Sequence, residues 1–113
     1  LDYNNKFLPV LESLNNISSI GNNPVIPNGF SISSYPNPFN NSTNIQYKIP
    51  ISADVILELY NNIGEKIKIL YSGYQSAGQY NNHFKEDNLA SGMYFVVLRT
   101  SQQILTCKIL LLK

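Results

Sequence analysis

Only 13% of the 113 residues are charged, and the formal net charge is +1. That is about half the ~25% usual in globular domains. So neutral a chain lacks the basic footprint that nucleic-acid binding needs. A single cysteine, Cys107, excludes an intrachain disulfide and any zinc site built from several thiolates. No apolar run approaches the ~20 residues of a membrane-spanning helix, and the longest, at the C-terminus, is broken by Lys108 and Lys113. An initiating Met and a leader are also missing, which reads as a piece cut from something longer. Against these shortages stands an apolar content of 43%, enough to bury a core and to exclude wholesale disorder. The length suits one small domain and is too short for two with full cores.

Two textures divide the chain. Residues 1–29 carry the pairs Asn4-Asn5, Asn15-Asn16 and Asn22-Asn23 and one helical stripe, Phe7, Val10, Leu11 and Leu14 at i, i+3, i+4, i+7. This predicts a short helix over about 9–15, too short to be stable alone in water. The GNNPVIPNG stretch, Gly21–Gly29, reads as linker, so residues 1–29 are expected to be a tether or the end of an upstream domain.

From Phe30 the apolar period becomes two. Ile45, Tyr47 and Ile49 alternate with polar residues, as do Val55, Leu57 and Leu59; Ile67, Ile69 and Tyr71 alternate with lysines. Gln79–Phe84 is a weaker strand with Tyr80 and Phe84. Met93–Thr100 is apolar on both faces, as a central strand should be, and Ile104–Leu112 sets Leu105, Cys107, Ile109 and Leu111 against Ile104, Thr106 and Lys108. Turn residues separate these runs at 61–64, 72–73, 76–78, 87–92 and 101–103. About seven short strands with no helix between them predict an all-β antiparallel sandwich.

Two local features sharpen that expectation. Tyr35-Pro36-Asn37-Pro38-Phe39 lacks two N–H groups two residues apart, so it should form an edge, or a strap along one, anchored by Tyr35 or Phe39. Leu89–Tyr94 has the spacing of a tyrosine corner, in which the hydroxyl of a Tyr opening a central strand bonds back to the preceding connection, here with Gly92 allowing a tight approach.

Catalytic signals are weak. The seven carboxylates form no acid/base spacing, Glu86-Asp87 reads as a solvated corner, and His83 has no ligand partners nearby in sequence. No nucleophile elbow or phosphate-binding loop is present. The reading is a non-enzyme with no catalytic residue, metal or cofactor. Cys107 reads as a small buried residue, and Tyr47, Tyr60, Tyr80 and Tyr94 as packing residues, though exposed tyrosines keep a carbohydrate-binding module as an alternative. The sequons at Asn16, Asn40 and Asn41 follow from asparagine richness.

Four blocks give the chain a family likeness. They are Phe30-Ser31-Ile32 with Tyr35-Pro36-Asn37-Pro38-Phe39-Asn40 and Ser42–Pro50; Leu59-Tyr60-Asn61 with Gly64, Ile67 and Leu70; Leu89–Phe95; and Lys108-Ile109-Leu110-Leu111-Leu112-Lys113. In these, residues 30–113 resemble the type A C-terminal sorting domain of type IX secretion cargo, a domain similar to the immunoglobulin-like fold of the flagellar hook cap. Departures are Asn41 where the family usually has Pro, Ser33-Ser34 for Gln-Asn, Met93 for Val or Ile, and no aromatic-acidic pair around His83.

The resemblance implies an immunoglobulin-like sandwich that directs a cargo protein from the periplasm of a Gram-negative bacterium through the type IX outer-membrane translocon. A cell-surface sortase then usually removes the domain, with release of the cargo or its attachment to an anionic lipopolysaccharide; the cut would fall within residues 21–30. It further implies that Lys108–Lys113 carry translocon recognition, and that Tyr35–Phe39, Gly64, Gly92 and Tyr94 are structural. The expected partners are the translocon, the sortase and an upstream cargo domain, with no nucleic acid and no membrane span; the isolated domain is expected to be monomeric. Read blandly, the tail is only the last strand and the domain a spacer in a surface enzyme. Read functionally, it is an accessible edge strand open to capture by strand addition.

Overall fold

The two-residue period of the sequence becomes seven antiparallel strands in a computed structural model that describes residues 29–113. They are β1 (Ser31–Tyr35), β2 (Ser42–Ile49), β3 (Ala53–Tyr60), β4 (Lys66–Gln75), β5 (Gly78–Lys85), β6 (Gly92–Arg99) and β7 (Ile104–Leu111). One sheet has the order β1-β2-β5 and the other β4-β3-β6-β7, the immunoglobulin-like arrangement. The expected helix near residues 9–15, the linker up to residue 28 and most of the expected cleavage span lie outside the described residues.

The facing sheets bury the alternating residues. Ile45, Tyr47 and Ile49 of β2 meet Val55, Leu57 and Leu59 of β3, Tyr94, Val96 and Leu98 of β6, and Leu105, Ile109 and Leu111 of β7. Each fully buried aliphatic side chain stabilises the fold by about 1.5–3 kcal/mol. β6 pairs with β3 on one side and β7 on the other, so it is central in its sheet; Tyr94, Val96 and Leu98 face the sandwich core, and Phe95 and Val97 belong to a separate cluster on the opposite face.

β4 departs from the expectation. It runs through Ser72-Gly73, read as a turn, as far as Gln75. Its register against β3 shifts between Leu57 and Glu58 and again between Leu59 and Tyr60. These irregularities break the two-residue period, because an extra residue turns the next side chain to the other face. Ile67, Leu70 and Tyr71 therefore pack on the core while Ile69 is exposed.

The turn into β4 is made by Asn61. Its Oδ1 accepts from the N–H groups of Ile63 (3.1 Å) and Glu65 (2.9 Å), and its carbonyl accepts from the Gly64 N–H (3.1 Å). Gly64 has φ of 87°, the left-handed region in which a side chain is strained.

Two buried phenols and a half-buried thiol predict a one-sided response to pH. Burial pushes the Tyr47 phenol above its ordinary value, against a weaker opposing pull from its hydrogen bond to Gln75. Burial and then the Glu58 carboxylate do the same for Tyr60, and burial raises the Cys107 thiol against the opposing Ser34 hydroxyl. Folding thus favours the protonated forms. That stabilisation is complete below the ordinary thiol value, about 8.5, and is lost as pH rises through the thiol and phenol ranges. Denaturant midpoints should fall above about pH 9, and Cys107→Ser should remove the first part of the loss. A flat alkaline profile would contradict this.

Candidate functional site

The C-terminal strand and the proline-rich segment, 71 residues apart at their first contact, form one structure. After β1 the chain leaves its sheet and crosses to the outer edge of β7. Both Xaa–Pro bonds, Tyr35-Pro36 and Asn37-Pro38, are cis, and residues 36–38 bend instead of running extended. Thr43, buried at the start of β2, fixes the bend by donating to the Pro36 carbonyl at 2.7 Å.

Asn37 then acts as a short strand of its own. Its Nδ2 donates to the Lys108 carbonyl (2.8 Å) and its Oδ1 accepts from the Leu110 N–H (3.0 Å). Phe39 continues with backbone bonds, its N–H to the Leu110 carbonyl and its carbonyl from the Leu112 N–H, both 2.9 Å. Asn40 Nδ2 closes the row on the Leu112 carbonyl at 3.1 Å. The result is a parallel bridge between Phe39 and Leu111, flanked by side-chain imitations of strand pairing.

The segment is therefore a strap along an edge, as expected, and the edge it covers is that of β7. Phe39 is the anchor: its ring is 3% exposed and meets Phe84 edge-on at 6.1 Å. Tyr35, the other candidate, is 81% exposed.

This corrects the view of β7 as an accessible edge. Its outward groups at Lys108 (carbonyl), Leu110 and Leu112 are already paired, so strand addition there must first displace the strap. Ile109 and Leu111 point into the core, Leu110 is half-buried, and Lys108, Leu112 and Lys113 are exposed. Lys113 is held as well, its N–H donating to Ser91 Oγ (2.9 Å) and its Nζ to the Asp87 carbonyl (2.7 Å).

Between strap and sheet lies a shallow groove of about 270 Å³ lined by Asn37, Pro38, Met93, Lys108 and Leu110. Met93 also borders a second hollow, of about 200 Å³, with Asn61, Asn62 and Ala90–Tyr94. Met93, Asn40, Ser91 and Asp87 were not singled out from the sequence for this site. For Asn40 the sequence signal is its place directly after the proline-rich segment, three residues beyond Asn37.

The tyrosine corner is present. Tyr94 donates to the Ala90 carbonyl at 2.6 Å; Gly92 between them has φ of 154°, but a Cβ there would meet nothing within 4 Å, so the tight approach expected at Gly92 is absent. The hydrogen bond fixes the 87–91 connection against which Lys113 rests. Tyr94→Phe is expected to cost about 1 kcal/mol in chemical denaturation, the net value of one such bond. No measurable loss would mean that the hydroxyl is equally well served by water.

The remaining candidates are structural. His83 is on the exposed surface with Nδ1 3.0 Å from Asn44 Oδ1, and Glu86 pairs with Lys68 at 3.1 Å. Among the described residues no three His, Cys, Asp or Glu side chains come together as metal ligands. Tyr47, Tyr60 and Tyr94 are buried, and Tyr80 stacks on Tyr47 at 5.5 Å. Cys107 is half-buried beside Ser34 Oγ at 3.6 Å. No helix among the described residues is long and apolar enough to cross a membrane.

No curated protein and no solved structure matches the chain. A family model does, that of the secretion system C-terminal sorting domain, over residues 33–112. That span runs from β1 through the strap to the exposed Leu112 and covers well over half of the sequence. This chain belongs to the family of secretion-system C-terminal sorting domains.

Proposed function

We propose that residues 30–113 form a folded address for the type IX translocon, that residues 1–29 join it to its cargo, and that Lys108–Lys113 are part of the surface read. The observation that carries this reading is the strap. With the outward backbone of Lys108, Leu110 and Leu112 engaged by Asn37, Phe39 and Asn40, the tail is displayed as a fixed set of side chains. Lys108, Leu112 and Lys113 are the members open to a partner, with Met93 and Leu110 as the apolar floor beside them. The cargo then passes from periplasm to cell surface, and a sortase cleaves within residues 21–30.

Deleting Ile109–Lys113 would not test this, because Ile109 and Leu111 are core residues. The appropriate test is a periplasmic reporter ending in the full 113-residue chain, in a type IX-competent host. Lys108→Glu combined with Leu112→Ser should leave the fold intact by circular dichroism while surface export falls several-fold. Unchanged export would refute tail recognition. Export that persists without residues 29–113 would instead make the domain a spacer.

A further inference from the structure

The outward face of the four-stranded sheet is buried more deeply than its own layer explains. Strand register places Glu58, Val97 and Thr106 in one row across β3, β6 and β7, with Tyr60, Phe95 and Lys108 in the next and Ile56, Arg99 and Ile104 on the other side. Tyr60, Phe95, Val97 and Ile104 form an apolar cluster separate from the sandwich core. Val97 is 1% exposed and Glu58 5%. The Thr106 hydroxyl is also shut off from solvent, with no hydrogen-bond partner. All members of this cluster stand on strands of the same sheet. A sheet face reaches such burial against a second layer.

We propose that this face is the docking site of a named segment of the same chain, the apolar stripe Phe7, Val10, Leu11 and Leu14. The stripe cannot bury itself, since one and a half helical turns are not stable alone in water. An apolar sheet face is the complement it lacks. Reach permits the contact. A Cβ at Gly29 would stand 3.4 Å from Pro50, so the chain arrives just before β3, beside the Ile56, Arg99 and Ile104 row. The 15 residues from Leu14 to Gly29 span up to about 50 Å, against about 27 Å for an eight-residue strand. Charge agrees. The outward face carries Lys66, Arg99 and Lys108 against Glu58 and Asp54, a small positive excess, while residues 1–28 carry Asp2 and Glu12 against Lys6 alone.

The chain contains no tryptophan, so Leu11→Trp in the full chain gives a unique reporter. Docking predicts blue-shifted emission and acrylamide quenching several-fold weaker than in denaturant. Adding Val97→Asn should return both toward the denatured values while amide spectra of β2 and β5 stay native. In a Cys107→Ser background, Leu14→Cys with Thr106→Cys should close an intramolecular disulfide. Solvent-like emission from a folded chain would overturn the proposal. So would a disulfide-linked dimer as the main product, which would assign the face to a second copy.

Discussion

Phe39→Ala should destabilise the domain by about 3–5 kcal/mol, the usual cost of emptying a buried aromatic site. The ring is 3% exposed and stands edge-on to Phe84 beneath the strap. A second effect goes beyond the cavity. Phe39 is also the residue whose backbone bonds Leu110 and Leu112, so loosening the ring loosens the strap. Hydrogen exchange at the Leu110 and Leu112 amides should therefore rise before exchange in β2 or β3 does. Tyr35→Ala, at the other end of the same motif, should change stability by less than about 0.5 kcal/mol, as exposed positions do. If the tyrosine substitution cost as much as the phenylalanine one, the assignment of the anchor would be wrong. Phe39→Leu offers a milder version should the alanine variant fail to fold.

Much of this architecture is legible in the sequence because its causes are local. β3 runs over the expected residues, since strict alternation against a buried face leaves one register that works. The tyrosine corner joins Tyr94 to Ala90, four residues apart, and can be read as a motif. The proline segment can be read as a strap because missing N–H groups forbid central pairing. Its partner cannot. Asn37 finds Lys108 and Leu110 only after two sheets have formed, and nothing in the local pattern around Asn37 names a strand more than seventy residues away. The length of β4 escaped for a related reason. Ser72-Gly73 has turn chemistry, but pairing with Ile56 and Val55 overrides it. The edge of β7 is the consequential case: a terminal alternating strand looks open until the chain that covers it is placed.

Glu58 is the position where alternation misleads most, and it carries the second large expected effect. A polar residue between Leu57 and Leu59 reads as solvent-facing, and the side chain does point away from the sandwich core. It is nonetheless buried, and its partners surround it. Oε1 accepts from Arg99 Nε (3.2 Å) and Nη2 (3.1 Å) and from the Tyr60 hydroxyl (3.1 Å), while Lys66 Nζ approaches Oε2 at 3.4 Å. Removing one partner of a buried ion pair ordinarily costs about 3–5 kcal/mol, because the other charge is stranded. Here Arg99 retains 26% side-chain exposure and Lys66 40%, so both can recover water. Glu58→Ala should therefore cost about 2–3 kcal/mol, below the fully buried case. Glu58→Gln keeps an acceptor for Arg99 and should cost about half as much. The same pair of variants has a readout that cavity formation alone does not predict. Burial is the main cause of the raised Tyr60 phenol, and the Glu58 charge is the next. Glu58→Gln should thus bring the Tyr60 titration down toward the ordinary phenol value in an absorbance titration, with Tyr60→Phe identifying the transition. An unmoved phenol would mean that Glu58 only fills space, and that the charges along this face do not act on one another.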